Sequence, residues 1–323
     1  MVTFRFHSVT LRWRFLASGL VLIALCAGWS TASGVAVTPP PANGYYALKA
    51  PGAALPSAAA CANQIAAHHS AWEPRPSNAQ ANSTMPNVTK VHSSFASRPR
   101  STYGTYDPRW DSYLLARVTG HDTGTTDEII QWAACKWGLP DNVLRAIAVR
   151  ESTWFQYATT ASGACVTYYG CGDFFSSEPL TDRKTFCNEL AGYGRDYQAD
   201  YGSGYCPKTF SMVGEMSWSS PSWGFDWAGN QNGTFPFNRN STAFALDYLG
   251  AHLRGCYNGW EWWLNRSGGD LWGCVGSWYA GDWHSAAGDG YASRVQNEIS
   301  SLTWLKSDWA SIGPGCSATY GCP

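Results

Sequence analysis

At 323 residues with a formal charge of −1, the chain is long enough for one large domain or two small ones, and it lacks the basic excess of a nucleic-acid binder. Near-neutrality also removes any bulk attraction to an anionic cell wall, so recognition of such a surface would fall to a local cleft. No phosphate loop, HExxH, GxSxG or dinucleotide fingerprint occurs, and no His/Cys cluster has zinc-finger spacing, so no cofactor or metal is expected.

The N-terminus reads as a secretory signal over residues 1–34. Arg5, Arg12 and Arg14 precede an apolar run, Phe15 to Ala27, and small residues follow from Trp29 to Ala36. The run is too short to span a membrane comfortably, and cleavage between Ala32 and Ala36 is expected. Cys26 offers a lipoprotein anchor as the alternative, but Leu25 is larger than the usual residue before such a cysteine. Cleavage removes three arginines and no acid, taking the charge from −1 to −4, and leaves ten of the 11 cysteines. An even count in an exported chain predicts disulfides. Short-loop pairs are Cys165–Cys171, Cys187–Cys206, Cys256–Cys274 and Cys316–Cys322.

Residues 35–102 are rich in Ala, Pro, Ser and Asn and lack long apolar periodicity, so they read as a linker or arm, with Cys61 tethering part of it. The sequons at Asn82 and Asn87 matter only in a host that glycosylates. The main domain is expected over residues 103–323. Thr125 and Glu128 have capping-box spacing, Ile129, Trp132 and Ala133 form a helical stripe, and Gly138 is its stop. A second helix follows at once, from Leu139 to Phe155, with Pro140 at its start and Asp141 or Asn142 as its cap. Its apolar stripe runs through Leu144, Ile147 and Ala148, and Glu151 continues that stripe. A carboxylate in an apolar setting keeps its proton to higher pH, which makes Glu151 a candidate general acid. The bland alternative is a helix-end glutamate reaching into solvent.

Residues 156–240 are rich in Gly, Ser, Cys and aromatics, and read as disulfide-held loops with a weak hairpin. Helical patterning returns at Ser241–Gly255, where Ser241 or Thr242 caps, and again at Gly290–Leu305 along Tyr291, Val295, Ile299 and Leu302. The fold class is therefore mainly α, with a disulfide- and aromatic-rich loop insertion. Many of the 18 tryptophans fall late in the chain. Trp218, Trp223, Trp227, Trp278 and Trp283, with the group Trp260, Trp262 and Trp263, are either platforms for the flat faces of sugars or core packing. His252 and His284 read as surface histidines, and the even cysteine count argues against a Cys–His peptidase.

The order of these features resembles the lysozyme-like superfamily, in particular soluble lytic transglycosylases and goose-type lysozyme, over roughly residues 125 to 305. In that family a helix ends in Glu-Ser, matched by Glu151-Ser152. A Gly-Leu-Met-Gln-like or Ser-x-Gly-Ile-like segment lines the cleft, and Ser222–Gly229 resembles it at Ser222 and Gly224, although Trp227 stands where Gln is usual. An Ala-Tyr-Asn-Ala-Gly segment with a later Tyr is matched through Trp278, Ala280 and Gly281, with Tyr279 at the Asn place and Tyr291 as the late Tyr. The resemblance implies a lysozyme-like fold and cleavage of the β-1,4 bond between MurNAc and GlcNAc in peptidoglycan glycan strands by a secreted or wall-associated monomer. Glu151 would be catalytic. Ser152, Ser222, Trp223, Gly224, Asp226, Trp278, Tyr279, Gly281 and Tyr291 would bind substrate. Neither nucleic acid nor, after signal removal, membrane is an expected partner. If a second acid assists, Asp226 and Asp173 are placed for it, though Asp173 in Cys-Gly-Asp reads better as a turn residue. Alternatives are a chitinase- or chitosanase-type hydrolase on the same fold and a wall-binding protein without turnover.

Overall fold

The computed structural model describes residues 37–97, 108–156, 174, 179–193, 195–216, 232–262, 264 and 268–313. The described residues all fall within one compact unit. The expected signal, Asp173, Cys165, Cys171, Cys316, Cys322, Trp218, Trp263 and the whole segment Ser222, Trp223, Gly224, Asp226 and Trp227 lie outside the described residues.

The described chain is mainly helical. At its centre, α4 (Thr126–Trp137) is buried along its whole length. Its start is the expected capping box, in which Thr125 accepts from Glu128 N–H and the Glu128 carboxylate accepts from Thr125 N–H, and Gly138 ends it in the left-handed region. After the two-residue turn Gly138–Leu139 comes α5 (Asp141–Ser152). Pro140 occupies its N-cap position and no side chain caps it, contrary to the expected Asp141 or Asn142 cap. Asp141 is committed elsewhere. Its carboxylate accepts the backbone N–H groups of Tyr45 and Tyr46 and pairs with Arg145 at 2.5 Å.

Fully buried Arg145 joins these helices. Its Nε lies 2.7 Å from Asp127 of α4, and Nη1 donates to Asp141 and Asn142. A second buried ion pair ties α4 to α9 (Thr242–Tyr257): Lys136 Nζ is 2.6 Å from Asp247, which also accepts from Trp137 Nε1 and from the backbone of Thr119 and Gly120. Burial pulls the Lys136 ammonium down from its ordinary range. Ser241 supplies the expected cap of α9.

Residues 37–97 are not a linker. They fold into α1 (Ala58–Ala66), α2 (Ala79–Asn82) and α3 (Val88–Ser97), and Cys61, Ile65, Val91 and Phe95 enter the main core. The amphipathic stripes are short, only two buried residues each in α1 and α3, which is why no long period marks them in the sequence. Cys61 pairs with Cys135 of α4. Arg75 reaches the end of α5, donating to the carbonyl of Thr153, and lies over the ring of Trp309 at 4.2 Å.

The insertion after α5 carries more structure than expected. A twelve-residue helix, α6 (Leu180–Ala191), a short α7 (Gln198–Tyr201) and a two-stranded hairpin, β1 (Thr209–Phe210) and β2 (Glu215–Met216), surround a second small core of Phe174, Phe186, Cys187, Leu190, Tyr197, Cys206, Phe210 and Phe235. The expected pair Cys187–Cys206 staples it. After α8 (Phe237–Asn240) and α9, Cys256–Cys274 joins α9 to α10 (Leu271–Ala280), and α11 (Ala286–Ser301) follows. Among the described tryptophans, Trp132, Trp137, Trp154, Trp304 and Trp309 are fully buried and belong to the core. No helix of the described residues is long and apolar enough to cross a membrane.

Because Cys61 and Cys135 stand 74 residues apart in sequence, their bond restricts a long loop in the unfolded chain. The Cys61→Ala/Cys135→Ala double variant is expected to lose about 2–4 kcal/mol of stability by denaturant unfolding. If the segment were only a tethered arm, that loss would be absent.

Candidate active site

The site is built where α5, α11 and the β1–β2 hairpin converge. α5 stops because Thr153 and Trp154 both adopt positive φ, and Trp154 N–H turns back to the carbonyl of Ala148. Trp154 is locked in place by its indole N–H bond to the Arg145 carbonyl and by edge contact with Trp309 at 5.5 Å. The last helical turn is thereby fixed, and Glu151 on it is half-buried.

Tyr291 of α11 is fully buried, and its phenol donates to Glu151 Oε1 at 2.5 Å. Burial first, then the Glu151 charge and hydrogen bond, hold this phenol well above its ordinary range, so it stays a neutral donor. The approach of α11 rests on a close backbone contact with α10 at Gly276 and Gly288, where a Cβ on either would press against the other's carbonyl. Across that contact Tyr279 stacks flat on Tyr291, with centroids 4.9 Å apart and planes at 5°. Tyr279 is 41% exposed, so one aromatic surface beside the carboxylate is open to solvent.

The other wall is the turn Ser211–Gly214 between the strands. Ser152 donates to the carbonyl of Met212 at 2.9 Å, and the Trp278 indole donates to the carbonyl of Val213 at 2.9 Å. The first bond holds the turn to the end of α5, and the second holds it to α10. Gly214 has φ +64°, and a Cβ there would overlap the Glu151 carboxylate, so the close approach requires glycine. Behind the turn, Gln156 accepts from Met212 N–H and donates to the carbonyl of Asn238 at 2.5 Å.

Of the residues singled out from sequence, Glu151, Ser152, Trp278, Tyr279 and Tyr291 converge. Gly281 instead ends α10 in the left-handed region, with a role in the helix stop. His252 is not a surface histidine. It is only 13% exposed, 3.1 Å from the buried Glu261, and packs edge-on against Trp278 at 5.1 Å. His284 is surface-placed but bridges Asp270 and Asp289, each at 2.8 Å. Sequence reasoning missed the Ser211–Gly214 wall, and also Glu215. Glu215 follows Gly214, is 1% exposed, and faces Thr234 and Asn238, with no cation beside it among the described residues.

Comparison with protein-family models finds no match, and neither curated proteins nor solved structures yield one.

Burial lifts the Glu215 carboxyl well above its ordinary value of 4.5. A raised folded-state pKa leaves stability intact below the unfolded-state pKa and removes it as pH climbs from there through the folded-state value. Glu215→Gln keeps the shape and cannot ionise. The wild type's melting temperature is expected to fall relative to Glu215→Gln as pH rises above about 4.5. Parallel pH profiles for the two proteins would contradict this assignment.

Proposed function

We propose that the protein is an exported glycosidase of lysozyme-like character that cleaves the MurNAc–GlcNAc β-1,4 bond of peptidoglycan, as a lytic transglycosylase or a lysozyme. The observation that carries the reading is the pairing of Glu151, half-buried at a helix end, with the buried phenol of Tyr291. Tyr291 is also the late tyrosine that the family resemblance singles out. Three disulfides among the described residues and the lack of a membrane-crossing helix there are compatible with export.

A single carboxyl suffices when the substrate supplies its own nucleophile. The N-acetyl carbonyl oxygen attacks the anomeric carbon while Glu151 gives its proton to the departing glycosidic oxygen. Glu151, now anionic, then takes a proton from water or from the sugar's own 6-hydroxyl. The oxygen so activated closes on the anomeric carbon and releases the N-acetyl oxygen. Water gives a reducing end, and the 6-hydroxyl gives a 1,6-anhydro end. Tyr291 serves both protonation states. Its hydroxyl donates to the carboxylate and, after rotation, accepts from the acid. The turn at Gly214 fixes the carboxyl from the other side, and the open face of Tyr279 offers a sugar platform.

Incubation of purified peptidoglycan with oxidised protein, read by mass spectrometry, tests this directly. Wild type is expected to release muropeptides, and Glu151→Gln to lose about 10²–10⁴-fold of that rate with an unchanged melting temperature. Release by Glu151→Gln at the wild-type rate, or none by wild type, would sink the proposal. Gly214→Ala moves the carboxyl without removing it. A loss on the order of 10²-fold in turnover is expected, since ångström-scale misplacement of a reacting group has that cost.

A further inference from the structure

Among the described residues, one cation beside the site has no carboxylate paired with it. Arg294 lies on α11 almost one turn beyond Tyr291, and its guanidinium carbon sits 5.9 Å from the ring centroids of both Tyr279 and Tyr291. That is the outer limit of a cation–π contact, so the rings orient the group more than they satisfy it. Its Nε is buried without a hydrogen-bond partner. The nearby carboxylates of the same helix are occupied: Glu298 pairs with Arg150 at 3.3 Å and accepts from Thr303, and Asp289 pairs with His284. Glu151, held by Tyr291, forms no ion pair with Arg294 among the described contacts. The Arg294 charge is nonetheless felt at the Tyr291 phenol, the group bonded to Glu151. The guanidinium thus borders the exposed aromatic platform at the acid.

A planar guanidinium with free donors is suited to a carboxylate, which it binds through two parallel hydrogen bonds. Polymers of N-acetylglucosamine carry no carboxylate. Muramyl-containing strands do, either on the lactyl ether, once the stem peptide is removed, or on the stem peptide itself. We infer that Arg294 binds a carboxylate of the glycan substrate and thereby selects acidic muramyl strands over neutral N-acetylglucosamine polymers. The inference rests on the glycosidase reading and names the charge that its substrate presents.

The test uses the oxidised full protein and two pairs of glycan strands. One pair is peptide-stripped, with lactyl carboxylates either free or converted to amides. The other is peptide-bearing, with stem carboxylates either free or amidated. Wild type is expected to show kcat/KM about tenfold higher on the carboxylate member of at least one pair, carried mainly by KM. In Arg294→Gln that ratio falls to one, and in Arg294→Lys part of it returns. Because a misfolded fraction lowers both members equally, the ratio separates recognition from folding. A preference in the stripped pair assigns the lactyl carboxylate, and one confined to the peptide-bearing pair assigns the stem. If wild type shows no preference in either pair, or Arg294→Gln keeps the wild-type ratios, the inference is overturned while the glycosidase reading stands. If wild type cuts none of the four, both fall together.

Discussion

The position of Glu151 depends on a guanidinium that never reaches water. Arg145 sits fully buried between Asp127 of α4 and Asp141 of α5, and both ion pairs are short. Taking such a group out of water costs several kcal/mol, which is offset only when every hydrogen bond is made. Here Nε and both terminal nitrogens bond to carboxylate or amide oxygens. The arrangement fixes more than two helices. Asp141 also holds the backbone of Tyr45 and Tyr46, and the Arg145 carbonyl takes the indole N–H of Trp154. Through these bonds the N-terminal segment, the rotation of α5 and the turn that ends it form one rigid assembly. Removing one member of this set would leave an uncompensated charge in the core.

From that anchor the site is reached by two supports, which the Trp278–Val213 bond links. One is the α10–α11 pair, whose glycine contact brings Tyr291 to the carboxyl. The other is the hairpin, which the second core and the Cys187–Cys206 bond hold together. A two-stranded hairpin has marginal stability by itself. Ser152 and Trp278 add side-chain bonds to its turn, and Gln156 ties it to α8. Two of these three flank the end of α5. The segment that carries the acid therefore also carries the groups that seat the wall against it.

What the sequence disclosed follows from range. The capping box at Thr125 and Glu128, the stop at Gly138, the Ser241 cap and the short-loop cystines are local signals, and local chemistry settles them. Pairing Glu151 with Tyr291 across 140 residues was reachable only through a family resemblance, because nothing local in either helix points to the other. The failures share a cause. Asp141 was expected to cap its own helix but is taken by Tyr45, Tyr46 and Arg145, partners that no local window contains. Residues 58–97 lacked a long apolar stripe because each short helix contributes only a few side chains to a core supplied mostly by others. α6 was missed because its apolar residues serve a separate small core. The wall at Gly214 had one legible sign, a Ser-x-x-Gly run ahead of an oddly placed Glu in a loop-rich region, and its meaning came only from contact with Glu151.

Charge distribution gives the site its logic. The chain as a whole is close to neutral, so long-range attraction cannot gather a polyanionic glycan at its surface. On the proposed reading, discrimination would then act at short range, through a guanidinium beside an aromatic face. The same proximity bears on the chemistry. On the proposed reading, a substrate carboxylate at Arg294 would compensate a guanidinium whose charge favours the ionised phenol of Tyr291. The phenol would then be held more firmly as the neutral donor to Glu151, with no movement of the backbone.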